Sequence, residues 1–134
     1  MSPTDRDILF SNEAFVIGML QAVSGGGLVA GIAQPQSLTN LSGPIAFLVF
    51  LTAMGGALLS AVLAAYWKHQ YKLWDVKAHV SAGQGADAEA RTRSNKASRY
   101  LTAMRSAFVV SLVVIVFGTG SLIVAIWFRV LSTP

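Results

Sequence analysis

Three long apolar runs alternate with polar segments along this chain, and charge is confined to the segments between and around them. The run over 107–128, AFVVSLVVIVFGTGSLIVAIWF, contains no charged residue in 22 positions. As a helix it covers about 33 Å at 1.5 Å per residue, enough for a hydrocarbon core of about 30 Å. A second uncharged run spans 45–67 and a first spans 14–33, where Gln21 and Ser24 are the notable polar groups. A helix apolar on every side belongs in lipid rather than on the surface of a small soluble domain. The pattern therefore predicts an all-α integral membrane protein with three transmembrane helices. Residues 68–106 form a polar helical hairpin between the second and third, and 1–134 make one three-span membrane domain.

Local signals refine these elements. Ser11 or Asn12 is a candidate cap for the first helix, with Glu13 in its first turn, where a carboxylate suits the helix dipole. The Gly25-Gly26-Gly27 triplet is a candidate hinge within it. A secretory signal peptide is the rival reading, with Gly31-Ile32-Ala33 as small residues for cleavage. The leader is not basic, however, and the run exceeds the 7–15 residues of a usual signal core, which favours a retained span. Residues 34–43, QPQSLTNLSG, carry no charge and read as a tight connection between two spans. Asn40-Leu41-Ser42 matches a glycosylation sequon but lies too close to the bilayer to carry weight. Pro44 suits the first position of the second helix.

Beyond Trp67 the second helix continues into water, with Tyr71, Trp74 and Ala78 on one face at helical spacing. Gly83-Gln84-Gly85 breaks it. The following stretch is rich in helix formers and offers i,i+4 pairs at Asp87/Arg91 and Glu89/Arg93 before running into the third span. All six Trp and Tyr residues fall in or beside predicted interfaces, as amphipathic rings do.

Charge then sets orientation. Eight of the ten Lys and Arg lie between Lys68 and Arg105, against three acidic residues, while 34–43 has neither sign. The positive-inside rule places 68–106 and the N-terminus in the cytoplasm and the C-terminus outside, with Arg129 the one exception. The net charge of +4 thus has a topological cause and does not point to nucleic acid. Short loops and an Ala/Gly-rich sequence make a bacterial inner membrane the expected home.

Candidate chemistry is sparse. With no cysteine, disulfides, thiolate catalysis and Cys-based metal sites are excluded. His69 and His79 share no helical face and have no carboxylate cluster, so no metal site is expected. No catalytic residue and no cofactor are expected either. The three runs lack ionisable groups, which argues against proton-coupled transport and voltage sensing by this chain alone.

Small residues are the more informative feature. Gly27 and Gly31 form a GxxxG step, and Ala53, Ala57, Ala61 and Ala65 recur every four residues. Ser111, Gly118 and Ala125 share a face of the third span with Ala107 and Ser121. Such faces let helix backbones approach closely in lipid. The expected packing residues are therefore Gly27, Gly31, Ala53, Ala57, Ala61, Ser111, Gly118 and Ala125. Tyr71, Trp74, Arg91, Arg93, Lys96 and Arg99 are the expected contacts for a protein partner or anionic lipid. These features suggest a non-catalytic accessory or assembly subunit that meets other membrane subunits or itself. The alternative is a self-oligomerising pore or channel former, holin-like in size.

Overall fold

Proline and glycine set the corners of this chain. The computed structural model describes residues 3–132, with side-chain detail from Ser11 onward. They form four helices: α1 (Pro3–Ala33), α2 (Pro35–Ser42), α3 (Pro44–Gly83) and α4 (Asp87–Ser132). There is no strand among the described residues, and α1, α3 and α4 are each long and apolar enough to cross a membrane.

Helix α1 departs from the sequence expectation at two points. It passes through Ser11 and Asn12, so neither caps it, and it passes unbroken through Gly25-Gly26-Gly27. Glycine costs about 1 kcal/mol per helical position. A continuous hydrogen-bond ladder and packing against α3 outweigh that cost here.

The 34–43 connection is also more ordered than expected. Pro35 excludes Gln34 from helical geometry, leaving it at φ −130° and ψ 52°, and then takes the first position of α2. Gly43, at φ 87°, ends α2 with its N–H donating to the Thr39 carbonyl at 2.8 Å. Pro44 starts α3 in turn. At the far end of α3, Gly85 adopts φ 75°. Its N–H donates to Ala82 O at 3.1 Å, and that of Ala86 to Ser81 O at 3.0 Å. Those two bonds and the left-handed glycine make a Schellman termination. Asp87 and Glu89 then occupy the first turn of α4, where the dipole favours carboxylates.

Helix α3, about 60 Å long by its residue count, is the axis of the bundle. It runs antiparallel to α4 and shares most of the tertiary contacts with it, while α1 packs on α3 and barely meets α4. Ala53, Ala57, Ala61 and Ala64 are buried on α3, with Met104, Ala107, Ser111 and Gly118 buried on α4. Met54, fully buried, lies against Gly27 of α1 and Gly118 of α4. Ile17 of α1 joins Ala64, Met104 and Ala107 in one buried cluster, with Trp67, Leu101 and Phe108 packed against it. Large apolar side chains such as Phe15, Ile45, Leu59, Val116 and Phe117 lie on the outside.

Candidate interaction surfaces

The predicted packing residues divide by neighbour. Gly27 and Gly31 face α3: an added Cβ on Gly27 would lie 2.9 Å from Met54 Sδ, and one on Gly31 2.5 Å from Leu51 Cδ2. Ala53, Ala57 and Ala61 are buried, with Ala53 and Ala57 against α4. Opposite them, a Cβ on Gly118 would meet the Cβ of Ala53 at less than the 3.0 Å that real Cβ atoms respect. Ser111 Oγ donates to the backbone carbonyl of Ala57 at 2.9 Å. Ala125 is only half-buried, and Ser121 Oγ turns back to the Gly118 carbonyl at 2.9 Å.

A second small-residue ridge escaped the sequence reading. Ala14, Gly18, Ala22, Gly26 and Ala30 recur every four residues on α1, and all five are exposed. At 100° per residue this ridge lies roughly opposite the buried face made by Ile17, Leu20, Ser24, Gly27 and Gly31. An added Cβ at Gly18 or Gly26 meets nothing within 4 Å. The four-residue period was visible in the sequence. What hid it was the adjacent Gly27/Gly31 pair, which drew attention to the other face.

The polar ends of α3 and α4 lie side by side and sort the six predicted contact residues. Arg93 is committed internally: Nη1 donates to Ser81 Oγ at 2.8 Å and to the Lys77 carbonyl at 3.2 Å. Its Nη2 pairs with Glu89. The companion pair Asp87/Arg91 does not form, and Arg91 is exposed. Trp74 is half-buried, with Lys77 Nζ 4.9 Å and Lys96 Nζ 4.6 Å from its ring centroid. Lys96 and Arg99 line a shallow groove of about 400 Å³ together with Trp67, Trp74, Tyr100 and Ala103. Tyr71 is half-buried and lies outside that lining.

Two further features flank the bundle. A crevice of about 290 Å³ separates α1 from α4, lined by Val16, Ile17, Met104 and Phe108, with Asn12, Glu13 and Arg105 at its polar end. Lys68, one residue past the second apolar run, is buried. Desolvation lowers its pKa from the ordinary lysine value; the Glu13 carboxylate opposes that shift and Lys72 adds to it. At the other end of the molecule, Arg129 Nη1 donates to the Asn40 carbonyl, tying α4 to the last turn of α2. The cation that broke the orientation rule thus serves the orphan carbonyls of a helix C-terminus.

His79 Nδ1 lies 2.9 Å from the Asp75 carbonyl oxygen and 3.8 Å from its carboxylate, and His69 is exposed. No group of three His, Cys, Asp or Glu side chains among the described residues is placed to hold a metal ion. The arrangement offers surfaces for contact. Comparison of the chain with protein-family models, with curated proteins and with solved structures gives no match.

Proposed function

We infer that this chain is a three-span integral membrane protein that acts by contact, as a non-catalytic accessory or assembly subunit of a larger membrane complex. The exposed ridge Ala14-Gly18-Ala22-Gly26-Ala30 carries this reading. Helix α1 uses one small face on α3 and leaves a second, equally small face uncovered. In lipid a small face draws another helix backbone into close van der Waals contact, whereas a purely lipid-facing helix has no such requirement. The exposed apolar side chains on the outside of α1, α3 and α4 suit a hydrocarbon solvent. The eight cations between Lys68 and Arg105 support a cytoplasmic side for the joined ends of α3 and α4, by the positive-inside rule.

The test is a double variant, Gly18→Leu with Gly26→Leu. Both sites are open, so the chain still folds and inserts, and the Gly27/Gly31 face is untouched. Mild-detergent purification followed by mass spectrometry should show the loss of a membrane partner that the unchanged chain retains. A pore former gives a different result: the unchanged chain self-associates without partners, dissipates the membrane potential on overexpression, and does neither as the double variant. Full retention of every assembly by the variant assigns the ridge to lipid and removes the reading.

A further inference from the structure

The groove between the polar ends of α3 and α4 has an asymmetry that the rest of that surface lacks. Its lining is Trp67, Trp74, Lys96, Arg99, Tyr100 and Ala103: two cations, three aromatic rings and no carboxylate. Lys77 adds a third cation beside the Trp74 ring. Of the three carboxylates between Lys68 and Arg105, Glu89 pairs with Arg93, Asp75 lies 3.8 Å from His79, and neither these nor Asp87 line the groove. Among the described residues, Lys77, Lys96 and Arg99 make no ion pair. The fold therefore gathers positive charge on aromatic faces and leaves it uncompensated, which is the electrostatic complement of an anion.

Its position selects the kind of anion. Trp67 closes the uncharged run 45–67, and Ala103 lies four residues before the run that begins at Ala107. The groove thus extends about 10 Å, seven helical residues, from Trp74 and Lys96 down to the edge of the apolar spans. Below it, Leu63 and Val110 continue the same helix faces and are exposed at 47% and 50%. Further down, Val49 and Thr52 of α3 and Val114 and Phe117 of α4 line another shallow hollow between the two helices. A soluble phosphate would use only the cations, whereas an anionic lipid uses the whole length.

We propose that this groove binds a phospholipid of net negative charge. Lys96 and Arg99 hold the phosphodiester, Trp67, Trp74 and Tyr100 flank the glycerol and ester region, and an acyl chain runs past Leu63 and Val110. Aromatic rings at the depth of the headgroups and cations just beyond them match the chemistry of that layer. The assignment rests on the membrane reading above. It also divides the predicted contact set: Lys96, Arg99 and Trp74 belong to the lipid site, Arg93 is structural, and Arg91 stands apart.

The experiment uses the full chain as Trp127→Phe, which leaves Trp67 and Trp74 as reporters, solubilised in a neutral detergent. Phosphatidylglycerol and phosphatidylcholine with identical brominated acyl chains are titrated in, and tryptophan quenching is read. Glycerol phosphate, tested as a competitor, supplies the headgroup without the chain. Saturable quenching by phosphatidylglycerol is expected, weakened by salt because exposed charges are screened. Lys96→Gln with Arg99→Gln should weaken it about fivefold per cation removed. Arg91→Gln should leave it unchanged. Equal binding of phosphatidylcholine, equal weakening by Arg91→Gln, or equally strong competition by glycerol phosphate overturns the proposal. So does unaltered lipid binding by the double variant with loss of a co-purifying protein, which reassigns the surface to a protein partner. Alkaline extraction separates the two levels of inference. A chain released from the membrane defeats the membrane reading itself, while an inserted chain with no anionic preference defeats only this site.

Discussion

Ser111 and Ala57 are joined across α4 and α3 by a 2.9 Å hydrogen bond from hydroxyl to backbone carbonyl, and neither residue is exposed at all. The bond is possible because both positions are small enough for the backbones to approach. It also explains why a polar residue sits within the third apolar run. Ser111→Ala removes the donor and leaves the Ala57 carbonyl with its own helical partner. The expected loss is about 0.5–1.5 kcal/mol, near the lower end for a bond between membrane helices. Thermal unfolding in mild detergent reads it, and an unchanged midpoint refutes a stabilising role for the bond.

The Gly118 and Gly31 contacts make opposite demands on the same substitution. At Gly118 an added methyl meets the Cβ of Ala53, which has no rotamer to move. At Gly31 it meets the end of the flexible Leu51 side chain. Gly118→Ala should therefore separate α3 and α4 and cost about 1–3 kcal/mol, as overpacking does. Gly31→Ala should be near neutral, because the removal of a helical glycine favours the helix by up to about 1 kcal/mol. Equal thermal shifts for the two variants would argue against a backbone contact at Gly118.

Ala57→Leu and Ala61→Leu extend that test to the other side of the interface. Both positions are fully buried, Ala57 against Ser111 of α4, so leucine has no open side to enter. A loss of about 1–3 kcal/mol is expected for each. If thermal stability and assembly are unaffected by both, this face of α3 is not a packing face.

Arg93 is expected to hold the ends of α3 and α4 together. It donates to Ser81 Oγ and the Lys77 carbonyl while Ser81 Oγ itself donates to that carbonyl at 3.1 Å. Arg93→Gln breaks the relay. Hydrogen exchange over 77–83 should then speed up roughly three- to tenfold, corresponding to about 0.5–1.5 kcal/mol of local stability. The guanidinium is part-exposed, so high salt should narrow the difference. Unaltered exchange would leave the arginine as one more surface cation.

Orientation is read by fusion. The proposed orientation, with the basic segment retained in the cytoplasm by the positive-inside rule, predicts that a phosphatase placed after Pro134 is active outside the cell and one placed at Gly85 inactive. The reverse pattern overturns the topology without touching the fold.

How far each of these features was legible depends on whether its cause is local. The apolar runs, the helix start at Pro44 and the break at Gly83-Gln84-Gly85 follow from local residue chemistry, and the sequence displays them directly. Pro35 carried the same kind of signal for α2, and the helical connection between Ala33 and Pro44 was there to be read. The interior of the bundle is a different matter. In a soluble helix hydrophobicity marks the buried face, but here the outside is as apolar as the inside, so that marker is lost.

Only the tertiary structure decided which small residues became contacts. On α1 it turned Gly27 and Gly31 toward α3 and left Gly18 and Gly26 uncovered, although composition does not distinguish the two ridges. Among the cations it drew Arg93 into the junction of α3 and α4 while Lys96 and Arg99 stayed open beside Trp74. The sequence by itself determined where the helices lie, because charge, proline and glycine act on the residue that carries them and its near neighbours. Which faces meet depends on how closely two backbones pass, and that distance exists only once the helices have packed.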